Sequence, residues 1–517
     1  MKILSTQQIY DGYKLTGQAL QISYTELMER SGIKIFDWLH RRMQGAQVPI
    51  HIFCGIGDNG GNGLVLARHL IIHGYNTHVY IINYSKKRSK DFLINYDRIK
   101  DVTKTWPTLL SCQEDFPEIH PKDIIVDAIF GIGLNRPVLD WVKALFVHLK
   151  QSNAFTLSVD IPSGLYTDKP TSDVDAVVWA NFTLSFEAPK LVFFLSETQK
   201  YVSQWEILDL EFDASFLQHV ETDAELIGKY SILANYIPRL LFSTKANYGH
   251  VLAIGGQYGK VGGVVFALKG ALHCGAGAIS AYVPKCGYQI VQSAVLETRV
   301  ITDSNEDYIT SIDAKENTAN VIVFGINTGV NTKIIEAFKT FLKSNTKPLV
   351  IDDEGLLMLS KQPDLLKLLP EIPAVLTPSL EELESLIGSW NNDFEKLEKA
   401  KAFSKQYNLV LVLKGAYTTT VFNNKCYINT TGNPGLAKAG TGHALTGIIA
   451  GLIAQGYHPL TASIMGVFIH GTSADIALEE TSIQGLTANH VIEYLGDAFL
   501  ELFEQPEEVI EDQEDEE

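Results

Sequence analysis

Residues 48–84 read VPIHIFCGIGDNGGNGLVLARHLIIHGYNTHVYIINY, and this stretch decides the fold. Val48 to Cys54 is a short apolar run with strand character, and Gly55 to Gly63 is a glycine-rich turn. LVLARHLIIHG then repeats apolar residues at helical spacing, and THVYIINY returns to β-rich composition. Strand, glycine loop, helix, strand is a βαβ unit, which predicts an α/β domain with a parallel sheet. Glycines at 55, 57, 60, 61 and 63 let backbone N–H groups turn inward at the start of the helix. Such a nest suits a phosphate, and a merely tight turn is the alternative. The spacing does not satisfy the dinucleotide fingerprint.

The pattern extends on both sides. Tyr24 to Leu39 has the periodicity of an amphipathic helix. IIVDAIFGIG (124–133) and FTLSVDIPSG (155–164) each read as an apolar strand that runs into an aspartate, Asp127 or Asp160, and then a turn. Ligand sites of open α/β sheets lie beyond the carboxyl ends of the strands. One such aspartate alone reads as a helix cap; two beside glycine-rich turns read as a site.

The second half repeats the theme. YGHVLAIGGQYGKVGGVVFALKGALHCGAGAISAYVP (248–284) is strand, glycine loop, apolar helix, glycine turn, strand. Strand-then-loop units follow at 320–329, 348–355, 374–383 and 409–420, so a second α/β domain with a central sheet is expected. The charged stretch from Glu221 to Lys229 reads as a hinge between the halves. Near the end, LAKAGTGHALTG (436–447) places Gly440, Thr441 and Gly442 ahead of a long apolar helix. Backbone N–H groups there would hold an anion and stabilise a phosphoryl group in transfer, or the glycines simply line a close-packed turn. A Walker A loop is excluded, because its lysine and hydroxyl are missing at the required spacing.

Composition sets limits. The chain has 517 residues, 46% of them hydrophobic and 20% charged, so two to four domains with substantial cores are expected. The formal net charge of −18 argues against non-specific nucleic-acid binding. PEEVIEDQEDEE, from Pro506, holds eight acidic residues and reads as a disordered tail over 506–517. The five cysteines include no C-x-x-C pair, which fits a reduced, cytoplasmic protein without a zinc site. The N-terminus lacks the apolar core of a signal peptide. ALTGIIAGLIAQG, from Ala444, is too short to span a bilayer and reads as a buried helix.

The segments around LMERSG, GIGDNGGNG, VDAIFGIG, VDIPSG and, more weakly, TLSFEAPK resemble the N-terminal epimerase domain of the bifunctional NAD(P)H-hydrate repair enzymes. The resemblance covers residues 1–220 and implies a Rossmann-like three-layer α/β domain. Family members interconvert the epimers of a damaged cofactor whose nicotinamide is hydrated at ring carbon six. By this resemblance Asp160 is catalytic, and Asn59, Asp127 and Ser163 hold potassium. Asp58, Asn59, Gly60, Gly61 and Asn62, with Gly131, Ile132, Gly133, Leu134, Asn135, Arg136 and Pro137, contact the substrate. One departure is visible: Asp58 and Asn62 exchange the asparagine and aspartate of the family loop.

YGHVLAIGG, GAG at 275–277, LKG at 413–415, GNPGLAKAGTG and LTGIIAGLIAQG resemble the family's ribokinase-like dehydratase domain over 225–500. That implies a second three-layer α/β fold that dehydrates the hydrate at the expense of ADP or ATP with magnesium. Lys414, Gly415, Thr418, Gly440, Thr441 and Gly442 would bind the nucleotide phosphates. The implied partners are a nicotinamide nucleotide, ADP or ATP and further copies of the chain, with no nucleic acid and no membrane. Four loops depart from the family pattern. His443 replaces the aspartate of GTGD, the expected base. GPGLG becomes residues 325–329, DADA becomes 352–355 and HPGE becomes 379–382. Either His443 is a substitute base, its pKa lowered by the helix N-terminus, or this half has lost the reaction and keeps a structural or nucleotide-sensing role. A pseudoenzyme that binds nucleotides is the alternative for the whole chain.

Overall fold

Parallel sheets dominate a computed structural model that describes residues 1–103, 105–312 and 318–504. The acidic stretch 506–517 lies outside the described residues. Two compact units are present, Met1–Ala224 with the short stretch 392–394, and the remainder from Glu225 onward.

In the first unit the sheet runs in the order 108–110, 77–82, 50–54, 124–128, 155–159, 180–186, 202–208, with every pairing parallel. Ile50, Ile52, Phe53, Ile125, Val126, Leu157, Val159 and Leu184 are wholly buried. That is the continuous apolar character of a parallel sheet covered on both faces. The strand order reverses between Ile50–Cys54 and Ile124–Ala128, a topological switch point where a crevice opens beyond the carboxyl ends. The helix Tyr24–Met43 starts with a capping box formed by Ser23 and Glu26.

The glycine stretch differs from its sequence reading. The helix begins at Asp58 rather than near Leu64 and runs to Ile72, with Gly57 as its N-cap. Asn59, Gly60, Gly61 and Asn62 therefore belong to the first turns of a helix, not to a loop. Burial outweighs the poor helix propensity of glycine here: Gly60, Gly61 and Gly63 are all buried.

In the second unit the strands run 425–429, 419–422, 409–413, 374–376, 349–351, 321–324, 250–254, 278–283, 299–302. All pairings from 409–413 onward are parallel, and the first three strands pair antiparallel. Two apolar helices, Gly262–His273 and Thr441–Ala454, lie backbone against backbone. A Cβ at Gly447 would stand 1.9 Å from the carbonyl oxygen of Ala267, and one at Gly270 would stand 2.5 Å from that of Ala444. Glycine is required at both places, and this contact fixes the start of the second helix. The stretch 221–229, read as a hinge, holds the division between the two units at Ala224 and Glu225, and it also contains the strand Ala224–Ile227, whose end residues are buried. Among the described residues no helix is long and apolar enough to cross a membrane.

Candidate active sites

The crevice at the first switch point holds a cavity of about 330 Å³. Asp58, Asn59, Asn62, Gly131, Ile132, Gly133, Leu134, Asn135, Arg136 and Asp160 line it, while Gly60, Gly61 and Pro137 do not. Asp58 and Asn62 are four residues apart on one helix face, so their exchange moves a charge by about one turn, ~5.4 Å, within the site. Burial pushes the Asp58 carboxyl above its usual pKa.

Asp160 follows the strand Phe155–Val159 and takes a left-handed conformation, φ +69°. Aspartate tolerates this region, but it is a strained position for a non-glycine residue. Asp160 Oδ1 lies 2.8 Å from Lys190 Nζ and accepts from the Phe186 N–H at 3.3 Å. Lys190 is wholly buried and also donates to Ser185 Oγ, Phe186 O and Ala188 O at 2.8, 3.1 and 3.0 Å. One carboxylate oxygen is thus anchored, and the residue still faces the cavity.

Beneath the cavity lies an oxygen cluster. Asp127, wholly buried, accepts from Ile129 N at 3.2 Å, Ser158 Oγ at 2.8 Å, Ser163 N at 2.8 Å and Ser163 Oγ at 2.6 Å. Neither Asp127 nor Asp160 caps a helix. Burial pushes the Asp127 carboxyl up, and the serine hydrogen bonds oppose it. No Lys, Arg or His among the described residues forms an ion pair with Asp127. The Asn59 amide donates to the carbonyls of Phe130 and Val159 at 3.0 and 3.1 Å. Turned by half a rotation, the same amide would present an oxygen beside those two carbonyls, Ser163 Oγ and Asp127. A hard cation fits this all-oxygen donor set.

Sequence reading missed Tyr10, Tyr13, Tyr24 and Tyr84, which also line the cavity. Burial raises the pKa of all four phenols; the nearby aspartates add to this for Tyr10, Tyr13 and Tyr24. They stay neutral and can donate hydrogen bonds. Nothing local in the sequence marks them: Tyr10, Tyr13 and Tyr24 lie on helices, where a tyrosine reads as core, and Tyr84 follows the strand Thr77–Ile82. Lys190 ends the TLSFEAPK segment, and nothing in the sequence alone points to its partner Asp160.

The second unit has a cavity of about 740 Å³. Lys414, Gly415, Thr418, Thr441 and Gly442 line it; Gly440 does not, and serves as the N-cap of the helix with φ +95°. His470 lines it as well, a residue that sequence reading missed. Its Nε2 bonds the carbonyl of Thr441 at 3.0 Å, and burial pushes its pKa down to about 4.

Beside Lys414 and Gly442 sits Asp352, 1% exposed. Its Oδ1 lies 3.0 Å from Lys414 Nζ. Its Oδ2 accepts from Thr446 Oγ1 at 2.9 Å and lies 3.2 Å from His443 Nδ1. Burial would raise the Asp352 pKa, but the Lys414 charge and the His443 contact hold it well below the usual carboxylate range. The expectation for His443 is overturned here. Burial does press its pKa down, yet the hydrogen bond and charge of Asp352 outweigh that, and the pKa is raised. A paired carboxylate at contact distance exceeds a helix-end partial charge.

The other altered loops also find partners. Asn327, at φ +52°, donates its N–H and its amide to Asp353 Oδ2 at 3.0 and 2.7 Å. Ser379 and Glu382 form a capping box for the helix Leu380–Ile387. Burial and the adjoining Asp353 push the Glu354 carboxyl up to about 7.

Comparison with known proteins gives the same pairing of domains. The family profile described as YjeF-related protein N-terminus matches residues 24–192, and that of NAD(P)H-hydrate dehydratase matches 251–496. The bifunctional NAD(P)H-hydrate repair enzyme Nnr of Moorella thermoacetica is 30% identical over 514 residues, covering 96% of each chain. That of Coxiella burnetii is 31% identical, covering 92% of this chain and 94% of its own. The ADP/ATP-dependent NAD(P)H-hydrate dehydratase from Bacillus subtilis, crystallised with ATP and Mg2+, is 25% identical over 53% of this chain and 97% of its own, with a TM-score of 0.47. The chain belongs to the family of bifunctional NAD(P)H-hydrate repair enzymes.

Proposed function

We propose that the chain repairs hydrated nicotinamide nucleotides in two steps, with residues 1–220 epimerising the hydrate and residues 225–500 dehydrating it with ADP or ATP. Family membership supports the pair of activities. The observation that carries the first is Asp160: a carboxylate fixed by a buried lysine, facing a cavity lined with phenols and the turn 131–136.

Epimerisation at the hydrated carbon requires its configuration to be lost and reset, through ring opening or through loss and return of water. Asp160 moves the proton in either route. Lys190 and the Phe186 N–H hold it in place, and the strained backbone aims it at the cavity. Tyr10 and Arg136 meet the polar and anionic parts of the substrate. Asn59, Asp127 and Ser163 would hold potassium, which supplies a fixed positive charge beneath the substrate.

In the second unit Lys414, Thr441 and Gly442 bind the terminal phosphates of the nucleotide. The N-terminus of the helix Thr441–Ala454 adds its partial positive charge. Magnesium, bound with the nucleotide rather than in a protein cage, would supply charge neutralisation to the phosphates that Lys414, Thr441 and Gly442 hold. The substrate is a small-molecule nucleotide and the setting cytoplasmic.

The test uses the full chain and a mixture of both hydrate epimers. Equilibration of the epimers without nucleotide reads the first activity. Formation of the reduced nicotinamide on adding ADP or ATP with magnesium reads the second. An unchanged epimer ratio beyond the spontaneous rate would remove the first assignment.

A further inference from the structure

At position 443 this chain carries histidine where the family pattern has the expected carboxylate base. We propose that His443 is the base that replaces it, taking the proton of the hydroxyl on ring carbon six, with Asp352 as its positioning residue. This rests on the assignment of the second unit as a nucleotide-dependent dehydratase.

Geometry carries the proposal. Asp352 Oδ2 faces Nδ1 at 3.2 Å, so Nδ1 must carry the hydrogen in the neutral ring. Nδ1 makes the only hydrogen bond of the ring among the described residues, which leaves Nε2 as a free acceptor. A carboxylate that fixes tautomer and orientation of an imidazole is the arrangement that makes histidine an effective base. Asp352 is itself held from its other oxygen by Lys414 and from the same oxygen by Thr446, so it cannot swing away. Space for the ring comes from Gly263, where a Cβ would stand 2.8 Å from His443 Cδ2 and 2.7 Å from Asn327 Oδ1.

Decay is a poorer account of the same loops. One pair of replacements meets, Asn327 with Asp353, and His443 meets Asp352, an aspartate that the family pattern keeps. A buried carboxylate without partners is costly, and Asp352 has Lys414, Thr446 and His443 around it. The charged groups facing the imidazole are Asp352 and Asp353 from the turn after Leu349–Ile351, and Lys414 from the end of Leu409–Leu413. Gly263 and Asn327 add no charge.

In the step, the hydroxyl O–H bond breaks and its proton goes to Nε2. The oxygen forms a bond to the terminal phosphorus of the nucleotide. The bond from that phosphorus to the leaving phosphate oxygen breaks, and the electron pair stays on the leaving group. The imidazolium returns its proton to solvent before the next turnover.

The experiment compares wild type, His443→Ala, His443→Asp and Asp352→Asn as full chains, over a range of pH, with calorimetry of ADP and ATP binding alongside. The expected result is turnover by wild type, a loss of about 10²–10⁴-fold in kcat for His443→Ala with nucleotide affinity kept, and partial recovery with added imidazole. Asp352→Asn is expected to lower kcat and move the acid limb of the profile to lower pH, because an amide does not hold the imidazolium. A merely structural Asp352 would leave that limb in place. The proposal is overturned if His443→Ala keeps full activity, if His443→Asp exceeds wild type, or if wild type binds nucleotide without turnover. Absence of ADP and ATP binding by wild type would instead remove the nucleotide assignment on which the proposal rests.

Discussion

Lys190 Nζ stands 2.8 Å from Asp160 Oδ1, with the lysine wholly buried and the aspartate held at φ +69°. The carboxylate proposed to move the proton is thus also one half of a buried ion pair. Function and stability are tied at this point.

Asp160→Ala is therefore expected to do two things. It abolishes epimerisation, and it leaves a buried lysine charge unpaired, at about 3–5 kcal/mol of the first unit's stability. Asp160→Ala combined with Lys190→Met regains most of that stability while remaining inactive. Denaturant unfolding monitored with the epimer assay checks both. A single variant as stable as wild type would contradict the pairing.

Potassium should stabilise the first unit through the oxygen cluster. The melting temperature and the epimerisation rate are expected to rise on replacing choline by potassium at constant ionic strength. Asp127→Asn keeps the shape but removes the charge, so the potassium response should vanish. A response of equal size in the variant would place the ion elsewhere.

His470 makes the second unit acid-sensitive. Its folded pKa lies near 4, below the usual 6.5, so the unfolded chain binds its proton first as pH falls. Stability is then lost between about pH 6.5 and 4, by at most roughly 3 kcal/mol. His470→Gln is expected to flatten the urea-unfolding midpoint over that range. The midpoint of the variant falling as steeply as wild type would refute this.

His443 acts in the opposite sense. Its folded pKa is raised, so its contribution is complete below the unfolded value and disappears as pH rises through the folded one. His443→Gln is expected to cost more stability at mildly acidic pH than at mildly alkaline pH. Unfolding midpoints at the two pH values give the comparison; equal costs would mean that the Asp352 contact contributes nothing.

Gly447→Ala tests the helix contact that sets the start of Thr441–Ala454. Its Cβ would meet the Ala267 carbonyl oxygen at 1.9 Å, so the helices must separate, at about 1–3 kcal/mol. Because the turn proposed to bind phosphate begins this helix, nucleotide affinity should fall as well. A drop in stability with unchanged calorimetric affinity would uncouple the two.

By itself the sequence determined the alternation of strands and helices, the glycine turns after the strands, and the resemblance that carries both activities. Period and turn chemistry are local, so they survive in one dimension. Asp127 and Asp160 could be marked as a site because each stands at a strand end, and the loop 131–137 through the resemblance. Only the tertiary structure decided which side chains meet. It brought Lys190 to Asp160, set four tyrosines around the cavity and put Asp352 against His443, across separations of 30 to 150 residues. It also reversed the pKa shift expected for His443, because a helix end is legible in sequence whereas a carboxylate 91 residues away is not. The strand order that closes those distances is set by packing of whole elements, and no local pattern encodes it.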